Sequence, residues 1–160
     1  MKRYAKMMLS MLLVCALVLG ACVIRTDAAS GYSFKYKGVS ITIGSDATKF
    51  LKKAGKPKSV TKQKSCAYNG MDRTYTYSYF KITTYSNTDN GTEYINSITL
   101  TSKKVSTKEG IKIGSTEKQV KKKYKKATES HGVYTATKGK TKLIITVSDG
   151  KVTAIQYIAK

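Results

Sequence analysis

A short stretch of this chain is written twice. Val39-Ser40-Ile41-Thr42-Ile43-Gly44-Ser45 returns as Gly110-Ile111-Lys112-Ile113-Gly114-Ser115. Each copy is followed by a stretch with helical period and then by Tyr-, Thr- and Ile-rich segments with the period of strands. Internal similarity constrains the fold more than any single residue does, because each copy is one supersecondary unit that must share a core with its neighbour.

The helical stretches carry one apolar stripe each. In the first copy Ala47, Phe50, Leu51 and Ala54 fall at i, i+3, i+4 and i+7, while Lys49, Lys52 and Lys53 point elsewhere. Ser45 or Asp46 is placed to cap this helix, Gly55 to end it, and Pro57 to prevent its resumption. In the second copy Ser115 is the expected cap and Glu117 suits the first turn. Val120, Tyr124 and Ala127 make the stripe, and Lys121, Lys122, Lys123, Lys125 and Lys126 crowd the C-terminal end, where the helix dipole favours cations.

After each helix the period changes to two. In the first copy strands are expected at 64–68, 73–77, 80–86 and 94–102, with Asn69-Gly70 as a hairpin turn. In the second they are expected at 132–137, 142–147 and 151–159. The last strands of the two copies align by residue type, Ile95-Asn96-Ser97-Ile98 with Val152-Thr153-Ala154-Ile155. The expectation is an α+β fold built as a tandem repeat of a short strand, a helix and an antiparallel meander. The helices pack on one face of the sheets, the repeats span 32–105 and 106–160, and the two sheets join or abut.

The start of the chain reads as an export signal over 1–21. Lys2, Arg3 and Lys6 precede an apolar and small run at 7–19. Two processing sites compete. Leu19-Gly20-Ala21-Cys22 is similar to the lipobox of bacterial lipoproteins, in which the Cys22 thiol is acylated and 22–31 becomes a short tether. The alternative is a signal cut near Ala28. Either way the protein is exported, as a lipid-anchored protein of the cell membrane or a secreted one. Cys15 leaves with the signal and Cys22 is acylated or lost, so Cys66 has no intrachain partner and the core must come from packing alone.

Thirty basic residues stand against nine acidic ones, and loss of the three basic residues of the signal leaves a mature chain of about +18. The lysines are spread over every segment and no nucleic-acid-binding motif is present, which sets nucleic acid aside as a partner. The polyanions outside a Gram-positive cell are wall teichoic acids and anionic lipid head groups, and the charge alone draws the chain to both. On a helix the lysines between 121 and 126 form a solvated face or a patch for such polymers.

The I-x-I-G-S start, the Phe50-Leu51 or Val120-Tyr124 helix face, the Gly55-Lys56-Pro57 exit and the following meander resemble the module of the β-lactamase-inhibitor-protein-like superfamily. Small envelope lipoproteins of the SmpA/OmlA type carry a similar unit, as do exported Firmicutes proteins with a Tyr- and Lys-rich tandem. The resemblance is specific over 39–59 and 110–127 and topological elsewhere. It implies an α+β fold that presents its sheet for protein binding, without catalytic residues. The inhibitor proteins use disulfides that this chain cannot form, so what carries over is the fold and the manner of binding, not the β-lactamase target.

The residues offer little to catalysis. His131 is the one histidine, beside Gly132 in a turn. Cys66 and His131 are the only conceivable nucleophile–base pair, and Ser65-Cys66-Ala67 reads as a strand with a small buried thiol. The acids suit helix starts and turns, not paired-carboxylate chemistry, and no metal or cofactor is expected. The compositional excess is tyrosine: twelve, against three Phe and no Trp. Tyr75, Tyr77 and Tyr79 alternate and share a face while the chain stays extended, with Tyr68 and Tyr85 on neighbouring strands. The expected function is non-catalytic binding at the envelope by a monomer, through a Tyr/Lys-rich sheet face, to a protein partner. Electrostatic binding of anionic wall polymer or membrane surface is the alternative, and secreted enzyme inhibition a third.

Overall fold

The computed structural model describes residues 31–66 and 69–160. The expected export signal, Cys22 and Tyr68 lie outside the described residues. Among the described residues ten strands and two helices follow in order. Strands β1 (Phe34–Tyr36) and β2 (Val39–Ile41) form a separate hairpin, and helix α1 (Thr48–Ala54) follows. The first meander is β3 (Ser59–Lys64), β4 (Met71–Thr76), β5 (Phe80–Ser86) and β6 (Tyr94–Leu100). Helix α2 (Glu117–Lys123) opens the second, β7 (Thr128–Ser130), β8 (Val133–Lys138), β9 (Thr141–Ser148) and β10 (Lys151–Ala159).

The meanders form one antiparallel sheet of eight strands, ordered β3-β4-β5-β6-β10-β9-β8-β7. The two final strands pair at its centre, Ile155 opposite Leu100 and Tyr157 opposite Ile98. The duplication is therefore closed by its own best-matched strands. Alternation puts Ile98 and Leu100 of β6 and Ile155 and Tyr157 of β10 on the buried face, and a bulge at Asn96, where the register shifts between Thr83 and Thr84, brings Ile95 to the same face. Burying this many large side chains at roughly 1.5–3 kcal/mol each supplies the core that cysteines do not.

The repeated motif has the same job in both copies. Gly44 N–H donates to Ile95 O and Ile95 N–H to Ser45 O; in the second copy Gly114 N–H donates to Val152 O and Val152 N–H to Ser115 O. Each Gly-Ser stitches the entry to its helix onto the final strand of its own meander. Gly44 (φ 78°) and Gly114 (φ 85°) adopt the left-handed conformation that these turns require.

Several expectations are corrected. Neither motif serine caps a helix. Ser45 Oγ donates to Thr42 O, and Ser115 Oγ accepts from Lys112 N–H, so both tighten the preceding turn. The second helix is capped one residue later by Thr116, in a capping box with Gln119. In the first, Asp46 Oδ1 accepts from Thr48 N–H at 2.7 Å, and hydrogen bonding by Thr48 lowers the carboxyl's pKa. The first strand of the meander lies at 59–64, not 64–68. Asn69-Gly70 belongs to a six-residue connection closed by Ser65 N–H to Gly70 O, which leaves Cys66 exposed on a loop.

Helix α2 stops at Lys123, so Lys125 and Lys126 lie on the turn that follows. Like charges at 121/125 and 122/126 oppose helical continuation, and the β7–β8 pairing claims the chain from Thr128. The expected lead-in strand is present in the first copy as β2, but its pairing with β1 was not foreseen, and in the second copy 111–113 forms no strand. Phe34 of β1 is fully buried against Phe50, Phe80 and Tyr157, tying α1 to both halves of the sheet. Lys37 Nζ reaches the carbonyl of Ala54 at 3.1 Å and satisfies an end of α1 that the helix leaves open.

Candidate anion-binding cleft

Three of the nine acids are engaged by tyrosines. Tyr75 donates to both oxygens of Glu93 at 2.9 Å, Tyr124 to Glu109 at 2.6 Å, and Tyr134 to Glu117. Thr84 also donates to Glu93 at 2.6 Å, and Arg73 Nε lies 3.7 Å from it. Burial, then the bond to Glu93, pushes the Tyr75 hydroxyl up to about 12. This pattern has no local signature. Tyr75 and Glu93 are 18 residues apart, Tyr124 and Glu109 are 15, and only the assembled sheet and helix bring them together.

With carboxylates so occupied, lysines dominate one concavity. A cleft of about 500 Å³ lies beside the end of α2. Lys122 and Lys123 of the helix, Lys125 and Lys126 of the following turn, and Lys138 at the end of β8 line it. Its one acid is Glu109, and Tyr32 and Tyr124 supply aromatic surface. The two rings meet edge to face, with centroids 5.9 Å apart. The Thr107 hydroxyl bonds the Tyr124 oxygen at 2.8 Å, and burial, followed by the bond to Glu109, raises the Tyr124 pKa. Burial raises that of Tyr32 in the same direction, with the Glu109 charge adding to it.

Chemically, the cleft holds about four net positive charges over a partly apolar floor. Such an arrangement attracts phosphate or carboxylate groups at short range and repels cations. Lys121 is not part of it. Its ammonium pairs with Glu117 at 2.8 Å, on the side where Tyr134 also meets that carboxylate. The bonds from Lys121 and Tyr134 hold Glu117 below the usual carboxylate range. Lys138 was missed: the Lys138-Gly139 turn was legible, but its position beside α2 was not.

The tyrosines do not make one surface. Tyr75 and Tyr77 lie on the helix-bearing side of the sheet, opposite or beside the buried Ile82 and Phe80, and Tyr77 is itself buried. Burial raises the Tyr77 pKa. Strand β4 ends at Thr76, so Tyr79 falls in a turn, half-buried, with Lys104 Nζ 5.3 Å from its ring centre. Tyr85 is on the other face, its ring 5.6 Å from that of Tyr94. That open face is rich in threonine, as in the registered row Thr76, Lys81, Thr99, Gln156, Ile144 and Thr135.

Cys66 and His131 are not brought together. Cys66 follows β3 and His131 joins β7 to β8, at opposite edges of the sheet. His131 is exposed, with Ser130 Oγ 3.0 Å from its Nδ1. Among the described residues no group of three His, Cys, Asp or Glu could hold a metal ion, and no helix is long and apolar enough to cross a membrane. No family model, curated protein or solved structure matches this chain.

Proposed function

We propose that this protein is a non-catalytic, exported binding protein of the cell envelope, and that the cleft beside α2 holds phosphodiester-bearing anions of wall polymer or lipid head groups. The observation that carries this reading is the convergence of five lysines from three successive elements on a cleft with a single, already bonded glutamate. Lipidation of Cys22 fits the same reading and is tested by incorporation of labelled fatty acid, which Cys22→Ala should abolish.

The decisive measurement is binding of soluble poly(glycerol phosphate) to the full chain over a range of NaCl concentrations. Affinity should fall steeply with salt, because exposed charges are screened over about 8 Å at physiological ionic strength. Reversal of Lys122, Lys125 and Lys126 to Glu should weaken binding at least tenfold. Reversal of Lys49, Lys52 and Lys53, exposed on α1, should cost far less. Equal losses from the two triple variants would show diffuse charge attraction instead of a site, and absence of salt-dependent binding would remove the proposal.

A second reading, a protein partner on the open sheet face, is favoured by the Tyr85–Tyr94 pair there, since stiff amphipathic rings make efficient contact residues. It predicts a partner captured in high salt and lost with Tyr85→Ala.

A further inference from the structure

We propose that the cleft is the membrane-facing end of the molecule, so that its lysines rest on the anionic phospholipid surface to which the chain's own N-terminal segment is attached. This rests on the anion-binding reading and adds an occupant and an orientation. The argument begins where the chain enters the fold. Gly31 forms an antiparallel bridge with Gly139, in the turn between β8 and β9, and the next residue, Tyr32, lines the cleft. The entry point is pinned. A Cβ at position 31 would lie 2.6 Å from Thr141 Oγ1 and 3.5 Å from Lys138 O, so only glycine allows this approach. Lys138 and Lys140 flank the turn it rests on.

Reach then decides the orientation. Cys22 precedes Gly31 by nine residues, a contour of at most about 30 Å, and the apolar run lies just before it. Anything that fixes residue 22 or its predecessors to a bilayer therefore holds the cleft near that bilayer. The far edge of the sheet, at β3, is six strand spacings from β8, about 29 Å further away. An acyl anchor and a polybasic patch are two contributions that add in membrane attachment. Here both sit at one end of the fold, and each lysine held near an anionic surface adds to retention. The open sheet face and the β3 edge are left pointing away, free for other contacts.

The test uses the processed chain acylated at Cys22, in which Cys66 is the remaining free thiol, reconstituted in vesicles of phosphatidylglycerol and phosphatidylcholine. One fluorescent probe is placed on native Cys66 and, in a second chain, on Thr137→Cys with Cys66→Ser. Thr137 lines the cleft and is exposed, and its replacement leaves the lysines intact. Head-group nitroxide lipids should quench the Thr137→Cys probe at least threefold more than the Cys66 probe. The difference should disappear in 1 M NaCl, in pure phosphatidylcholine, and when Lys122 and Lys126 are changed to Gln, a neutralisation of exposed side chains that leaves packing untouched. Equal quenching, or stronger quenching at Cys66, overturns the orientation. If that occurs while soluble poly(glycerol phosphate) still binds the cleft, the orientation falls and the anion-binding function stands. If neither vesicles nor polymer engage the lysines, both fall.

Discussion

Replacing Tyr157 by Phe removes one oxygen from the centre of the molecule, and the fold should become more stable. Tyr157 is 1% exposed, and its hydroxyl has no hydrogen-bond partner among the described residues. Its ring packs near Phe34 and opposite Ile98, and Phe would retain those contacts. A buried hydroxyl without a partner costs about 1–3 kcal/mol in lost hydration, and the unfolded chain recovers that on exposure. Tyr157→Phe should thus gain about 1–2 kcal/mol. For a domain of this size that is roughly 3–6 °C in Tm. Tyr124→Phe is the matched control with the opposite sign. It deletes the donation to Glu109 at 2.6 Å, a charged acceptor, and the bond with the Thr107 hydroxyl at 2.8 Å, and should lose about 1.5–3 kcal/mol. Urea unfolding followed by circular dichroism measures both, with the slope m checked for constancy. A Tyr157→Phe chain destabilised by 1 kcal/mol or more at unchanged m would refute the reasoning, because the hydroxyl would then be contributing a bond.

Alkali should unfold the protein through its tyrosines. Tyr75 titrates near 10 unfolded and about 12 folded, so its contribution is complete below pH 10 and is lost as pH rises towards 12. Stability measured between pH 9 and 12 should decline less steeply in Tyr75→Phe, and an unchanged slope would exclude this residue as a cause. Thr116→Ala removes the capping box of α2 and should cost about 1 kcal/mol in urea unfolding. A cost below 0.3 kcal/mol would mean that packing of Val120 and Tyr124 holds the helix unaided.

Much of the fold was legible because the signals were local. The Ala47–Phe50–Leu51–Ala54 spacing and the Val120–Tyr124 pair needed only the helical period, and the strand patterns needed only alternation. Errors arose where a local signal had more than one use. A Gly-Ser before a helix reads as a cap, but both serines are consumed by the turn before it, and Thr116 inherits the role. Asn69-Gly70 reads as a two-residue turn, but the β3–β4 pairing ends at Lys64 and Met71, and Ser65 N–H closes on Gly70 O across a longer connection. The alternating tyrosines were read as one face, yet the chain turns at Thr76 and the helix-bearing side takes Tyr75 and Tyr77.

The sequence by itself determined the units: their number, their helices, the strand-rich character of the rest and the excess of positive charge, all of which follow from periodicity and composition. Only the tertiary structure decided how the units combine. It paired β6 with β10 into one sheet, matched distant tyrosines to the scarce glutamates, and folded the end of α2, its turn and the β8–β9 hairpin around a common cleft. Those contacts join residues tens of positions apart, and their energy depends on burial and distance in space, which no local pattern encodes. Which lysines line that cleft and which lie elsewhere on the surface was decided there.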